Sequence, residues 1–138
     1  MISGDKLKSL LPQAPPMLMI DTLMSSYTKK TVTKLTIKED NIFVSEDIFR
    51  EPGIIENMAQ TAAVRAGYEA KISDEKVKIG FIGNIKNLNI YALPKVNDTL
   101  QTILTPLSDI GNISSVKTEI FLNAEKIAEC SMTIILRD

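Results

Sequence analysis

Pro52-Gly53-Ile54-Ile55-Glu56-Asn57-Met58-Ala59-Gln60-Thr61-Ala62-Ala63-Val64-Arg65-Ala66-Gly67 is the stretch on which the fold turns. Ile54, Ile55, Met58, Ala59, Ala62, Ala63 and Ala66 recur at spacings of three and four. That rhythm predicts an apolar helical stripe from residue 54 to about residue 70. Much of the stripe is alanine, and a small-residue face lets a helix lie very close to whatever it packs on. Gly67, inside the pattern, lowers helix stability. Pro52-Gly53 closes an irregular, acidic stretch over 39–51.

Upstream, residues 4–11 read as a short helix with Leu7, Leu10 and Leu11 at helical spacing. Pro12 ends it, and Pro15-Pro16 force an extended path. Residues 17–24 read as a strand, 27–30 as a turn, and 31–38 as a second strand with alternating Val32, Leu35 and Ile37. Downstream, a polar loop at 71–76 leads into four strands, 77–91, 99–107, 113–122 and 126–136. Gly80 and Gly83 mark bulges or close approaches. Turn chemistry sits at 109–112 and 123–125. In the last strand Ala128, Cys130, Met132, Ile134 and Leu136 share one face. One helix cannot supply the crossovers of a parallel sheet, so the fold class is α+β with a largely antiparallel sheet of five or six strands.

With 138 residues, the chain fits one domain, 1–138. Its 16 basic and 17 acidic residues leave a net charge of -1, which gives no footprint for nucleic acid and no polybasic membrane patch. The absence of histidine removes Ser-His and Cys-His nucleophile pairs and any imidazole base. With a single cysteine it also removes nearly all catalytic zinc sites and leaves no disulfide. The longest apolar runs, such as Met17-Leu18-Met19-Ile20, are far shorter than the ~20 residues of a bilayer span. No export segment is expected, and the expected location is the cytoplasm.

Three stretches carry a resemblance. Leu11-Pro12-Gln13-Ala14-Pro15-Pro16-Met17-Leu18-Met19-Ile20-Asp21 is similar to an opening motif LPHRxPxLLxD. Pro52-Gly53-Ile54-Ile55-Glu56-Asn57-Met58-Ala59-Gln60 resembles a helix start PGxLxxEAMAQ. Phe81-Ile82-Gly83, then Pro94 and Asp98-Thr99-Leu100, is similar to FxGI…RPVxPGDxL. In this order, over roughly residues 11–100, they resemble the FabA/FabZ family of 3-hydroxyacyl-acyl-carrier-protein dehydratases. The resemblance implies the hotdog fold, one long central helix wrapped by the sheet. It implies an acyl-thioester substrate on acyl carrier protein or CoA, and no cofactor. It also implies a homodimer joined sheet edge to sheet edge, or a trimer of dimers, with active sites at the subunit boundary. A long exposed edge strand at 77–91 would require such cover.

The chain departs from the family at defined places. The family carries Gly-His-Phe-Pro-Gly before the helix, and its His is the catalytic base. Here the loop reads Phe43-Val44-Ser45-Glu46-Asp47-Ile48-Phe49-Arg50-Glu51. Gln13 stands where the opening motif has His.

Taken alone, Glu56 near a helix start is a capping carboxylate. The resemblance puts it on the family's second catalytic residue, the acid that protonates the departing hydroxyl. Asp47 or Glu46 can stand in for the missing base. Backbone N–H groups at Gly53 and Gly83 can polarise a thioester carbonyl, or these glycines simply serve a turn and a bulge. Phe81 and Ile82 fall in the family's substrate-side motif, Asn57 can orient a water, and Gln60 is a polar neighbour of Glu56. Three functions fit. The first is a 3-hydroxyacyl-thioester dehydratase of fatty-acid, polyketide or pigment biosynthesis. The second is an acyl-thioesterase using the same glutamate. The third is a non-catalytic acyl-binding subunit, or one paired with a His-containing partner subunit.

Overall fold

The computed structural model describes residues 1–76 and 78–137. The elements run β1 (Ile2–Ser3), α1 (Gly4–Lys8), β2 (Thr22–Tyr27), β3 (Lys30–Thr36), β4 (Val44–Ser45) and β5 (Ile48–Phe49). Then come α2 (Glu51–Ile72), β6 (Ile79–Ile90), β7 (Thr99–Ile110), β8 (Ile113–Leu122) and β9 (Glu125–Arg137). Seven strands form one sheet in the order β1-β2-β3-β7-β8-β9-β6. Each neighbouring pair in it is antiparallel. The α+β layer expected from the sequence is present. The seventh strand is β1, only two residues long and paired to β2. Val77, where the sequence places the start of the fourth long stretch, lies outside the described residues.

α2 begins at Glu51 rather than Ile54 because Pro52 fits the first turn, where its missing N–H has no helical acceptor to lose. Ile54 and Met58 are fully buried against the sheet, where they meet Leu35, Phe49, Leu100, Leu104 and Ile120. Each such side chain contributes roughly 1.5–3 kcal/mol by leaving water. A second cluster joins Leu7, Leu10 and Leu11 to Ile20, Leu23 and Val64, so the amino-terminal segment packs on the carboxy-terminal half of α2. Gly67 has a packing reason. A Cβ there would stand 2.1 Å from the Leu10 carbonyl oxygen, so only glycine lets this backbone lie against the helix.

Three local expectations change. Residues 17–21 are not strand. The Asn57 and Gln60 side chains bond the backbone at Met17 and Met19, supplying partners that a neighbouring strand would otherwise give. The acidic loop contains the β4–β5 hairpin, in which Val44 pairs with Phe49. Glu46 and Asp47, at φ 53° and 63°, are its two-residue turn. β7 runs through Pro106 to Ile110, with a register shift between Pro106 and Ser108 that accommodates the missing donor. The bulge expected in β6 is seen, with a register shift between Ile82 and Asn84 that leaves Gly83 unpaired in the register.

Candidate active site

A cleft of about 540 Å³ runs along one flank of α2. This lies within the roughly 300–1,000 Å³ typical of ligand sites. Its helix wall is Glu56, Ala59, Ala62, Ala63 and Ala66, with Arg65 and Glu69. Residues 9–13 form a second wall. The floor comes from Gly80 and Ile82 of β6, Leu104 and Pro106 of β7, Val116 of β8, and Ile134 and Leu136 of β9.

The alanine stripe therefore divides from the rest of the apolar pattern. Ile54 and Met58 pack on the sheet, while the four alanines are partly buried and border the cleft. The side of the helix turned inward also carries Asn57, Gln60 and Thr61, all fully buried.

Glu56 is half-buried and faces the cleft. Gln60, one turn on, donates from Nε2 to Glu56 Oε1 at 2.9 Å and to the Met17 carbonyl at 2.8 Å. Its own Oε1 accepts from the Met19 N–H. Gln60 is therefore locked and holds the Glu56 carboxyl at one oxygen, leaving Oε2 for other work. Two more carboxylates border the cleft, and each likewise holds a partner at one oxygen. Glu69 pairs with Arg65 at 3.0 Å, and Asp109 accepts from the Ser114 hydroxyl. The Arg65 guanidinium also bonds the Tyr27 and Thr28 carbonyls and the Thr31 hydroxyl, tying α2 to the β2–β3 turn.

Of the residues singled out in the sequence, the structure brings Glu56 and Ile82 to the cleft. Gly53 does not offer a free donor. Its N–H bonds the Arg50 carbonyl at 2.9 Å, and a Cβ would meet the Phe49 ring at 2.5 Å. Its role is close packing of the helix start. Asn57 does not orient a cleft water. Its Nδ2 donates to the Met19 carbonyl at 2.8 Å and its Oδ1 accepts from Thr102. Glu46 and Asp47 lie in the exposed β4–β5 turn, selected for positive φ, and do not border the cleft. Phe81 is exposed on β6 beneath the Arg137 guanidinium, 5.7 Å from the ring centroid. Gly83 is at the bulge, where a Cβ would stand 3.1 Å from Ile135.

Gln13, Arg65, Asp109 and Ser114 are cleft residues that the motifs do not mark as a site. A signal was available for the helix wall. Ala59, Ala63 and Ala66 follow Glu56 at i+3, i+7 and i+10, so a helix must show them on the same side as the carboxylate.

Shifted ionisations mark the other face of the sheet. Glu119 and Glu129 stand directly opposite on β8 and β9, and Lys126 bridges them at 2.9 and 3.3 Å. The Tyr91 hydroxyl donates to Glu129, which holds that carboxyl below the usual carboxylate range and raises the Tyr91 phenol. On the face that packs against α2, burial pushes the Cys130 thiol up. Among the described residues no group of three or more His, Cys, Asp or Glu could hold a metal ion. No described helix is long and apolar enough to cross a membrane.

A long helix laid on an antiparallel sheet, with a cleft along one helix flank, defines a hotdog protein. More narrowly, the chain belongs to the ApeP-like family, described as ApeP dehydratase, whose pattern matches residues 5–137. It is 25% identical to the 3-hydroxyacyl-[acyl-carrier-protein] dehydratase FabZ of Latilactobacillus sakei, over 99% of both chains. It is likewise 25% identical to FabZ of Campylobacter jejuni, over 100% of this chain and 99% of that one. Among solved structures, the dehydratase heterocomplex ApeI:P from Xenorhabdus doucetiae matches with a TM-score of 0.89 at 17% identity, covering 96% of this chain and 91% of that chain. A hypothetical thioesterase with coenzyme A from Streptococcus pneumoniae matches with a TM-score of 0.69 at 8% identity, covering 85% and 88%. At these identities the structural matches establish the shared fold.

Proposed function

We propose that this chain is the glutamate-bearing subunit of a 3-hydroxyacyl-thioester dehydratase, whose second catalytic group comes from a different, histidine-bearing subunit. The observation that carries this reading is Glu56 on the cleft wall of a chain that contains no histidine. Elimination of water needs a base at the α-carbon and an acid at the β-hydroxyl. Glu56 supplies one such group. Glu69 is exposed and paired with Arg65, Asp109 accepts from Ser114, and Glu46 and Asp47 do not border the cleft. No number of copies of this chain supplies an imidazole. Membership of a dehydratase family and the likeness to a dehydratase heterocomplex support the same reading.

In the reaction the partner's base takes the α-proton. The α C–H pair becomes the new C=C bond, the β C–O bond breaks, and protonated Glu56 delivers its proton so that water leaves. Gln60 fixes Oε1 by hydrogen bond and so presents Oε2 to the hydroxyl. The apolar lining from Leu10, Leu11 and the four alanines suits an acyl chain. The substrate is a 3-hydroxyacyl group thioesterified to acyl carrier protein or CoA.

Glu56 without a histidine also favours a second reading, a thioesterase in which Glu56 activates water. Intact-mass measurement of a 3-hydroxyacyl carrier protein separates the two. Incubation with this chain plus a histidine-bearing hotdog dehydratase subunit is expected to remove one water. Glu56→Gln should slow that loss at least 100-fold, the lower end of general acid catalysis. Dehydration by this chain alone would refute the need for a partner base. Release of the bare carrier would establish hydrolysis instead.

A further inference from the structure

Asn57, Thr61 and Arg65 stand one turn apart on α2, and each bonds a threonine of the sheet. Asn57 Oδ1 accepts from Thr102 of β7, the Thr61 and Thr33 hydroxyls meet at 2.9 Å, and Arg65 Nη1 donates to Thr31 at 2.8 Å. Thr33 and Thr102 are register partners on β3 and β7, and Thr31 lies two residues along β3 on the same face. Thr61 commits its one proton to the Asn57 carbonyl, so Thr33 is the donor to Thr61. Thr31, Thr33, Thr61 and Thr102 are all fully buried. Valine has nearly the same shape and no hydroxyl to desolvate, so packing alone does not call for threonine at these places.

The apolar pattern of α2 leaves its roll about its own axis poorly defined. Ile54, Met58 and Val64 are turned inward, but Ala59, Ala62, Ala63 and Ala66 make the cleft side apolar as well. A pattern with two apolar sides stabilises more than one roll. Asn57 and Gln60 also bond Met17 and Met19, which holds the helix to a segment outside the strands. The threonine contacts tie it to the sheet itself. Of these, Thr33–Thr61 joins the two shortest side chains and so allows the least play. We propose that this hydrogen bond fixes the roll of α2, which makes Thr61 a positioning residue for the Glu56 carboxylate. The role given to Glu56 rests on the dehydratase reading above. Both side chains project from one rigid helix, so the roll that seats Thr61 on Thr33 also aims Glu56 into the cleft. A roll of about 40° would carry a side-chain tip, roughly 5 Å from the helix axis, through about 3.5 Å. Misplacement by about 1 Å can cost on the order of 100-fold in rate. One polar contact inside an apolar interface selects one setting in the same way that a buried Asn fixes the register of a coiled coil.

The test replaces both hydroxyls together, Thr33→Val with Thr61→Val, which leaves neither partner of the pair stranded. The Tm of this variant is expected to equal or exceed that of the wild type. Methyl relaxation dispersion at Ala59, Ala63 and Ala66, measured on this chain alone, should be flat in the wild type and show exchange in the variant, as the helix samples a second roll. With a histidine-bearing hotdog dehydratase subunit, kcat for loss of water from a 3-hydroxyacyl carrier protein should fall at least about tenfold. Thr33→Ser with Thr61→Ser keeps both hydroxyls and should restore flat dispersion and kcat together. Flat dispersion in the valine pair overturns the proposal. A lower Tm with flat dispersion, or loss of folding, makes the pair a stabilising contact only and overturns it too. Exchange with unchanged kcat overturns the link to Glu56. Absence of dehydration by the wild type with the partner would overturn the dehydratase reading and the role of Glu56 with it, while the methyl data would still decide whether the pair fixes the roll.

Discussion

Asn57 adjoins Glu56 in the chain and faces another side of the helix. Hydrophobicity cannot show this, since a buried polar residue and an exposed one read alike. What decides is the partner set. The Asn57 carboxamide receives the Thr102 hydroxyl and donates to the Met19 carbonyl. Asn57→Ala should therefore lower unfolding free energy by about 2 kcal/mol or more, by orphaning two buried groups. Urea denaturation measures it. Unchanged stability with weakened ligand binding would mean that Asn57 faces the cleft after all. The cleft carboxylate, Glu56, was legible from its motif and its place in the helix. The tie from Arg65 to the β2–β3 turn was not legible, because its partners are backbone carbonyls remote in the chain.

At the level of the element, α2 serves three surroundings at once. One side packs on the sheet, one borders the cleft, and Gly67 meets the backbone of residue 10. The heptad-like rhythm predicted a helix correctly but merged the first two sides into one stripe, because both are apolar. The strands after the helix were legible to within a few residues, since alternation and turn chemistry agree there. Residues 17–21 were misread as strand because their backbone bonds go to helix side chains, which local propensity does not encode. Gly67→Ala tests the close approach. Alanine improves helix propensity by about 1 kcal/mol. Overpacking against a backbone oxygen costs about 1–3 kcal/mol, and a carbonyl at 2.1 Å cannot turn aside as a side-chain tip can. The second effect should win, so the Tm of Gly67→Ala should fall. A rise would mean that residues 9–13 are free to move off the helix.

The whole molecule ends in an open side. Among the described residues β6 pairs only with β9, and Phe81, Ile82, Ile85 and Leu88 are exposed along it. An apolar edge strand of 12 residues is a template for another chain. A partner strand added there would extend the sheet beside the cleft, since Gly80 and Ile82 of β6 are part of the cleft floor. Sedimentation at micromolar concentration is expected to show at least a dimer for the isolated chain. Ile85→Lys should shift it toward monomer with the circular-dichroism spectrum unchanged. A wild-type monomer, or a dimer indifferent to this charge, would place the contact elsewhere.

The alanine flank of α2 has a consequence for descent as well as for binding. Single base changes convert an alanine codon to valine, threonine, serine or glycine. At Ala59, Ala62, Ala63 and Ala66 each such change adds or removes only a few atoms at the cleft wall. The helix is held to the sheet from its other sides, so these positions can vary with little penalty to folding. A lineage carrying this fold can thus reshape the cleft in small hereditary steps, while the carboxylate one turn away keeps its place.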